Sequence, residues 1–298
     1  MTMNSSGPIS LAGTTAGVSI EIENGGNGTT MISLNDTAVR SLAGVPSGAI
    51  IMPTNFYGKA NQFSFTISSN TSNANLRSLA VTAGWNASSK VVATINSGVY
   101  VYSTSTGTPG LTVNGSFPGG VSLINNGTIL GMGGAGGYGQ AGNGSGGGTA
   151  LLVSTALNVT NNNIIGGGGG GGGGSSYQHQ NFGCCSYNDL KGGGGGGGRT
   201  GLTNSSGGSG FAGGSAGGAG TSSSAGSGGY AGFSRVYGGA GGTWGAVGTA
   251  GVVLCCCCRG YWQSTGYSGS GGSGGKATCG AGTYITWTAT GTRYGSVS

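Results

Sequence analysis

Gly166–Gly174 is an unbroken run of nine glycines, and Gly192–Gly198 is a run of seven. A glycine run has no side chain to bury, and glycine loses more backbone freedom on ordering than any other residue. Such a run is either a flexible linker or is held by backbone hydrogen bonds, which buried amides and carbonyls require. One geometry suits the second route. An extended threefold helix, polyproline-II-like with a rise of about 3.1 Å per residue, points successive amides outward in three directions. Several such helices pack side by side only where neighbouring backbones approach closely, which glycine alone permits. Nine residues at that rise make a rod of roughly 28 Å. A collagen register is excluded, because glycine fills every position of both runs.

The glycines are unevenly placed. Of 76 in 298 residues, 17 fall in 1–130 and the other 59 in 131–298. This asymmetry predicts two domains, 1–130 and 131–298. Between the glycine-dense stretches of the second lie bulkier segments, among them Leu151–Ile165, Ser175–Lys191, Phe233–Tyr237, Val252–Tyr267 and Tyr284–Tyr294. They are rich in Tyr, Trp, Phe and Cys, which a linker would not carry. The expected fold of 131–298 is therefore a lattice of packed polyglycine-II-type helices, with a flexible linker as the alternative.

Residues 1–130 read as a β-rich domain with one short helix and little α-helix overall. Val18–Glu23 alternates apolar and acidic residues in the manner of a half-buried strand. Phe63–Ile67, Val91–Ile95, Val99–Tyr102, Leu111–Val113 and Val121–Ile124 are further strand candidates. The helix spans Asp36–Ala43, with Asn35 or Asp36 as cap, Asp36 and Arg40 at i,i+4, and Gly44 as the stop. Residues 91–130 pair short strands with Asn-Gly turns, a hairpin signal. The same rungs also fit a β-solenoid, and the sequence leaves the two open.

Only 14 residues are charged, and the four acids are Glu21, Glu23, Asp36 and Asp189. The net charge of +6 arises from acid depletion. The basic residues are scattered singly rather than gathered into a phosphate-binding stripe, which argues against nucleic acid as a partner. No stretch supplies the roughly 20 apolar residues of a membrane span, so no membrane insertion is expected. The polar start lacks the pattern of a signal peptide. Seven cysteines fall at Cys184–Cys185, Cys255–Cys258 and Cys279. Loop-packing thiols, cross-loop disulfides and a metal site all remain open for them, although no zinc spacing is present. His179 and Cys184 lack a third orienting group, no phosphate loop is present, and carboxylates are scarce. The reading is that of a non-enzyme with no cofactor and no metal.

The segment Ile32–Ala60 resembles a stretch near the start of many tailed-bacteriophage virion and tail structural proteins. Leu34, Asp36, Val39, Arg40, Leu42, Ser47, Gly48, Ile50, Met52, Phe56, Tyr57, Gly58 and Lys59 carry the likeness. The alternation of glycine runs and aromatic segments over Gly131–Ser298 resembles the tail-fibre tip adhesins of T-even-type phages. That resemblance implies packed polyglycine helices, intervening loops that contact a host surface receptor, a place at the tail-fibre tip, and a trimeric context. The implied partners are other tail or fibre proteins of the virion and a host surface protein or polysaccharide.

Two segments fit the receptor-facing role. Ser175–Lys191 carries Tyr177, His179, Phe182 and Tyr187, and the following aromatic segment carries Arg259, Tyr261, Trp262 and Tyr267. Rigid aromatics set among Ser, Gly and Asn make an adaptable recognition surface, and Tyr, Trp and Arg dominate interface hot spots. Packing against the lattice is the competing role for Trp244, Trp287 and the residues beside the cysteines. The functional expectation is a fibre-tip adhesin anchored through 1–130. The alternative is a purely structural virion component.

Overall fold

The structure, a computed structural model, describes all residues except 1–2, 60, 86, 88, 182–188, 232–235 and 254–261. For 178–181, 189–190, 262–265 and 281 it describes the backbone alone. The chain is mainly β and forms two compact units. The first comprises Met1–Thr66, Arg77–Thr94 and Gly115–Ser122. The second comprises Ile67–Leu76, Ile95–Asn114 and Leu123–Ser298.

In the first unit, the described residues up to 61 are organised by helical turns. Helix α1 (Ile20–Glu23) lies where the apolar–acidic alternation predicts a strand. Ser19 caps it by accepting from the Ile22 amide, and the Glu21 carboxylate folds back to accept from the amides of Asn27 and Gly28. The acids are thus buried along with Ile20. A period of two over so few residues does not separate strand from helix. Helix α2 (Thr37–Ala43) forms where expected, and Gly44 ends it at φ 71°. Arg40 does not pair with Asp36; its guanidinium donates to Asn35 Oδ1, Val45 O and Gly48 O. Met3, Ile20, Val39, Leu42, Ala43 and Phe56 make a small core.

Strands begin with β1 (Gln62–Ile67), followed by β2 (Thr71–Ser72) and β3 (Ala74–Asn75). Helix α3 (Leu76–Thr82) leads on to β4 (Lys90–Ile95), which lies beside β1. Trp85 and Phe117 stack at 5.3 Å in the first unit, both buried.

The second unit contains stacked parallel rungs. β5 (Tyr100–Tyr102) and β6 (Leu111–Val113) are followed by β7 (Val121–Asn125), β8 (Thr128–Leu130) and β9 (Leu151–Val153). Next come β10 (Leu157–Asn161) and β11 (Ile164–Gly166). Every neighbouring pair whose register falls within this stack is parallel. β2, β5, β8 and β11 form one sheet, and β3, β6 and β9 another. The register aligns Val101, Ile129 and Ile165 in a column, and all three are fully buried. Leu111 over Leu151 and Val113 over Val153 form a second such column.

The open choice over residues 91–130 therefore resolves as a solenoid. Asn-Gly pairs that read as hairpin turns sit at its corners, where asparagines stack from rung to rung. Asn125 Nδ2 donates to Asn161 Oδ1, and Asn162 Nδ2 to Asn126 Oδ1, each at 2.8 Å. A corner and a hairpin draw on the same turn residues. Stacking of whole rungs decides between them.

The chain leaves this stack twice. Residues 131–150 interrupt the passage from β8 to β9, and residues 167–277 follow β11 before the last rungs form. The second excursion carries β12 (Ser175–Asn181), β13 (Asp189–Lys191), β14 (Val236–Tyr237), β15 (Val252–Val253) and β16 (Trp262–Ser268). The chain then returns as β17 (Thr278–Cys279) on β9, helix α4 (Ala281–Tyr284), β18 (Ile285–Ala289) on β10 and β19 (Thr292–Tyr294) on β11. Cys279 is a free thiol; the other six cysteines lie outside the described residues.

Gly167–Gly174 forms neither helix nor strand, yet every residue of the run is buried. From Gly168 onward its amides point to three different segments in strict rotation. Gly168, Gly171 and Gly174 donate to the carbonyls of Gly148, Ser145 and Gly142. Gly169 and Gly172 donate to Arg199 and Gly196, and Gly170 and Gly173 to Ala246 and Thr249. Its carbonyls accept from three more segments: from Gly134 and Gly137, from Gly242 and Gly239, and from Gly275, Gly272 and Gly269. The run is thus enclosed by six backbones, with bonds of 2.7–2.9 Å. A Cβ at Gly171 would overlap the Ala135 carbonyl, and one at Gly170 the Gly272 carbonyl. This close approach is what demands glycine.

Candidate functional site

Because the glycine segments run back and forth, their turns collect at two ends of the network. One end lies beside β8, β11 and β19, where Gly131 donates to Gly166 and Gly167 to the Tyr294 carbonyl. Turns at 199–206, 220–225 and 243–247 belong to it. The far end holds the turns at 138–142 and 211–214 together with β12, β13, β14, β15 and β16. There Gly174 donates to Gly142, Gly192 to Phe211, Ser215 to Tyr230, and Gly251 to Gly269.

The two segments singled out in the sequence meet at this far end. β12 pairs antiparallel with β13 and with β16, giving a three-stranded sheet. The register sets Tyr177 opposite Gly266 and Lys191, His179 opposite Ser264 and Asp189, and Asn181 opposite Trp262. Ser176 faces Tyr267 across the same pair. In an antiparallel pair, opposed residues share a face and alternate along the strand. Register positions 177, 179 and 262 therefore fall on one face and 267 on the other. Tyr267 is exposed and Tyr177 half-buried. Phe182, Tyr187, Arg259 and Tyr261 lie outside the described residues.

Sequence reading missed four aromatics at the same end. Tyr138 meets Phe211 edge to face, with ring centroids 5.8 Å apart, and Tyr230 meets Tyr237 at 5.3 Å. Tyr138, Tyr230 and Tyr237 are exposed. Tyr138 and Phe211 each stand alone in a glycine-rich stretch, and Tyr230 precedes and Tyr237 closes the short segment Phe233–Tyr237, to which the sequence assigned no site role. Counting alternate turns of a back-and-forth chain would have grouped them.

The opposite end is built differently. Trp244 is covered by the Arg199 guanidinium at 3.6 Å and donates from Nε1 to Thr200 O at 3.0 Å. Its ring also lies 5.7 Å from that of Tyr294. Trp287 on β18 carries the Arg293 guanidinium at 4.8 Å. Both tryptophans are held by intramolecular partners, the packing role weighed for them in the sequence.

Among the described residues, no group of three His, Cys, Asp or Glu side chains could hold a metal ion. Glu23, in the first unit, is the one described group whose pKa is resolved as shifted. Burial raises it, against the opposing bond from the Asn61 amide. It lies in neither glycine-rich excursion.

The arrangement is that of a display device: an ordered scaffold carrying aromatic turns at one end. The family model described as phage tail fibre adhesin Gp38 matches residues 62–298. The chain belongs to that family and is a component of the phage tail fibre, an adhesin and not an enzyme. Among solved structures it is similar to the gp37–gp38 adhesin tip complex of the bacteriophage S16 long tail fibre. The TM-score is 0.54 at 23% identity, over 96% of this chain and 99% of that one. No curated protein matches the chain in sequence.

Proposed function

We propose that this protein is the receptor-binding tip of a tail fibre, attached to the virion through residues 1–130 and reading the host surface through 131–298. The observation that carries the reading is the union of Ser175–Asn181, Asp189–Lys191 and Trp262–Ser268 in one sheet at the far end of the glycine network. Two segments some ninety residues apart are thereby presented as a single surface. On this reading Tyr177, His179, Phe182, Tyr187, Arg259, Tyr261, Trp262 and Tyr267 contact a host surface protein or polysaccharide. Rigid aromatics lose little entropy when they bind, which suits them to this role.

The scaffold is read as an array of packed polyglycine-II helices. The threefold rotation of hydrogen bonds and the enclosure by six neighbours support it. Attachment through the N-terminal part is supported by the exposure of Met31 (95%) and Ile51 (61%), large apolar side chains that a fibre partner would cover. A gp37-like fibre protein is the natural partner, since the similar solved structure is a gp37–gp38 complex. The trimeric context implied by the tip-adhesin resemblance is read out by sedimentation of the purified assembly.

Exchange of segments 175–191 and 252–268 between two phages with different hosts tests the receptor role. Adsorption should follow the exchanged segments. An unchanged host range would leave the purely structural alternative standing.

A further inference from the structure

We propose that Asn114–Gly115 is a site of covalent self-modification, at which water converts the asparagine to an aspartyl or isoaspartyl residue. The proposal does not depend on the adhesin reading, and it uses none of the residues named there.

Asparagine is followed by glycine at Asn24, Asn27, Asn114, Asn126 and Asn143. In such a pair the glycine amide nitrogen can attack the asparagine Cγ, because glycine has no side chain to shield it. The fold decides which nitrogen is free to do so. Gly25 donates to Ile22 O, Gly28 to the Glu21 carboxylate, and Gly144 to Ser270 O. Turning any of these amides towards its asparagine would first break a hydrogen bond. Among the described residues, the amides of Gly115 and Gly127 have no such partner. Gly127 is buried, and the Val99 and Asn96 carbonyls crowd the position a Cβ would take, so that corner has no room to turn. Asn114 and Gly115 are both exposed.

A second observation bears on the reacting carbon. Asn75 Nδ2 donates to Asn114 Oδ1 at 2.8 Å. Negative charge gathers on that oxygen when Cγ is attacked, and a donor already in place stabilises it. Asn162 gives Asn126 the same donor, so the two corners differ in room to move rather than in polarisation.

The step balances without a redox partner. Hydroxide takes the Gly115 amide proton, the nitrogen bonds to Cγ, and the bond from Cγ to the side-chain nitrogen breaks with release of ammonia. Water then opens the cyclic imide at either carbonyl. The product carries a new carboxylate, which removes one unit from the net charge of +6. The isoaspartyl form also adds a methylene to the main chain directly after β6.

The test incubates the intact protein at neutral and alkaline pH and maps its peptides by mass spectrometry for exchange of the amide nitrogen for oxygen. Asn114 should convert at least about tenfold faster than any other Asn-Gly pair, a difference in barrier imposed by the fold. The rate should rise with pH, and an isoaspartyl methyltransferase should label the product. In concentrated urea all the pairs should convert within about threefold of one another. Asn114→Gln should abolish the early acidic form seen on isoelectric focusing. Conversion at Asn126 or Asn143 as fast as at Asn114 in the folded protein overturns the proposal. So does an equal preference for Asn114 in urea, which would assign it to local sequence alone.

Discussion

The solenoid rungs and the glycine network lie in one compact unit and solve the same problem by opposite means. In the rungs, backbone bonds run along parallel ladders and the interior is filled by side chains such as Val101, Ile129, Leu151 and Ile165. Exclusion of apolar surface from water drives that part. In the network the packed contacts are made by backbone, and the amides of Gly168–Gly174 and of Gly194–Gly198 all serve neighbouring segments. Without side chains to bury, stability there depends on satisfying every buried polar group and on close dispersion contact. The first design tolerates a change of volume. The second tolerates no added atom.

Gly171→Val should therefore have the largest effect of any single change. The new side chain would have to displace the Ala135 carbonyl and its bonded neighbours. Overpacking usually costs about 1–3 kcal/mol, and here the backbone has no room to yield. The expected outcome is loss of network assembly, read as rapid proteolysis of 131–277 with the N-terminal unit still resistant. Leu123→Ala, in a rung, should cost about 2–5 kcal/mol and lower the melting temperature without abolishing folding. Equal tolerance at the two sites would break the contrast.

Trp244→Ala sharpens it at the end where network and rungs meet. It removes the Arg199 stack and the bond to Thr200 O. The expected loss is about 1–3 kcal/mol, and adsorption of folded particles should be unaltered.

The smallest effect concerns pH. Burial raises the Glu23 pKa above its ordinary value of 4.5, so the folded first unit holds that proton more tightly than the unfolded chain. Its contribution is fully present below the ordinary value and is lost as pH rises through the raised one. Glu23→Gln should flatten that part of the melting-temperature profile. The glycine runs contain no carboxylate and should show no counterpart.

The sequence made some of this architecture legible and hid the rest. Runs at Gly166–Gly174 and Gly192–Gly198 pointed directly to backbone packing, because nothing else can hold such residues. Helix α2 was visible from its Gly44 stop. Corners such as Asn126–Gly127 were ambiguous, since hairpins and solenoids use the same turn chemistry and differ only in long-range stacking. Ile20–Glu23 misled because the acids beside its isoleucines are buried by backbone donors that no periodicity reveals. The clustered aromatics, Tyr177 and Tyr267 among them, could be picked out as loop residues. Tyr138, Phe211, Tyr230 and Tyr237 could not, because only the back-and-forth course of the glycine segments brings them to one end.

That sorting of turns to two ends is the central claim, and phage adsorption tests it directly. Tyr177→Ala with Tyr267→Ala at the far end should be compared with Leu202→Ser at the opposite end, where Leu202 is exposed. All variants must first match the wild type in melting temperature. The account predicts adsorption reduced at least about tenfold by the far-end change and unchanged by the other. Adsorption lost through Leu202→Ser with the far-end variant fully active would contradict it.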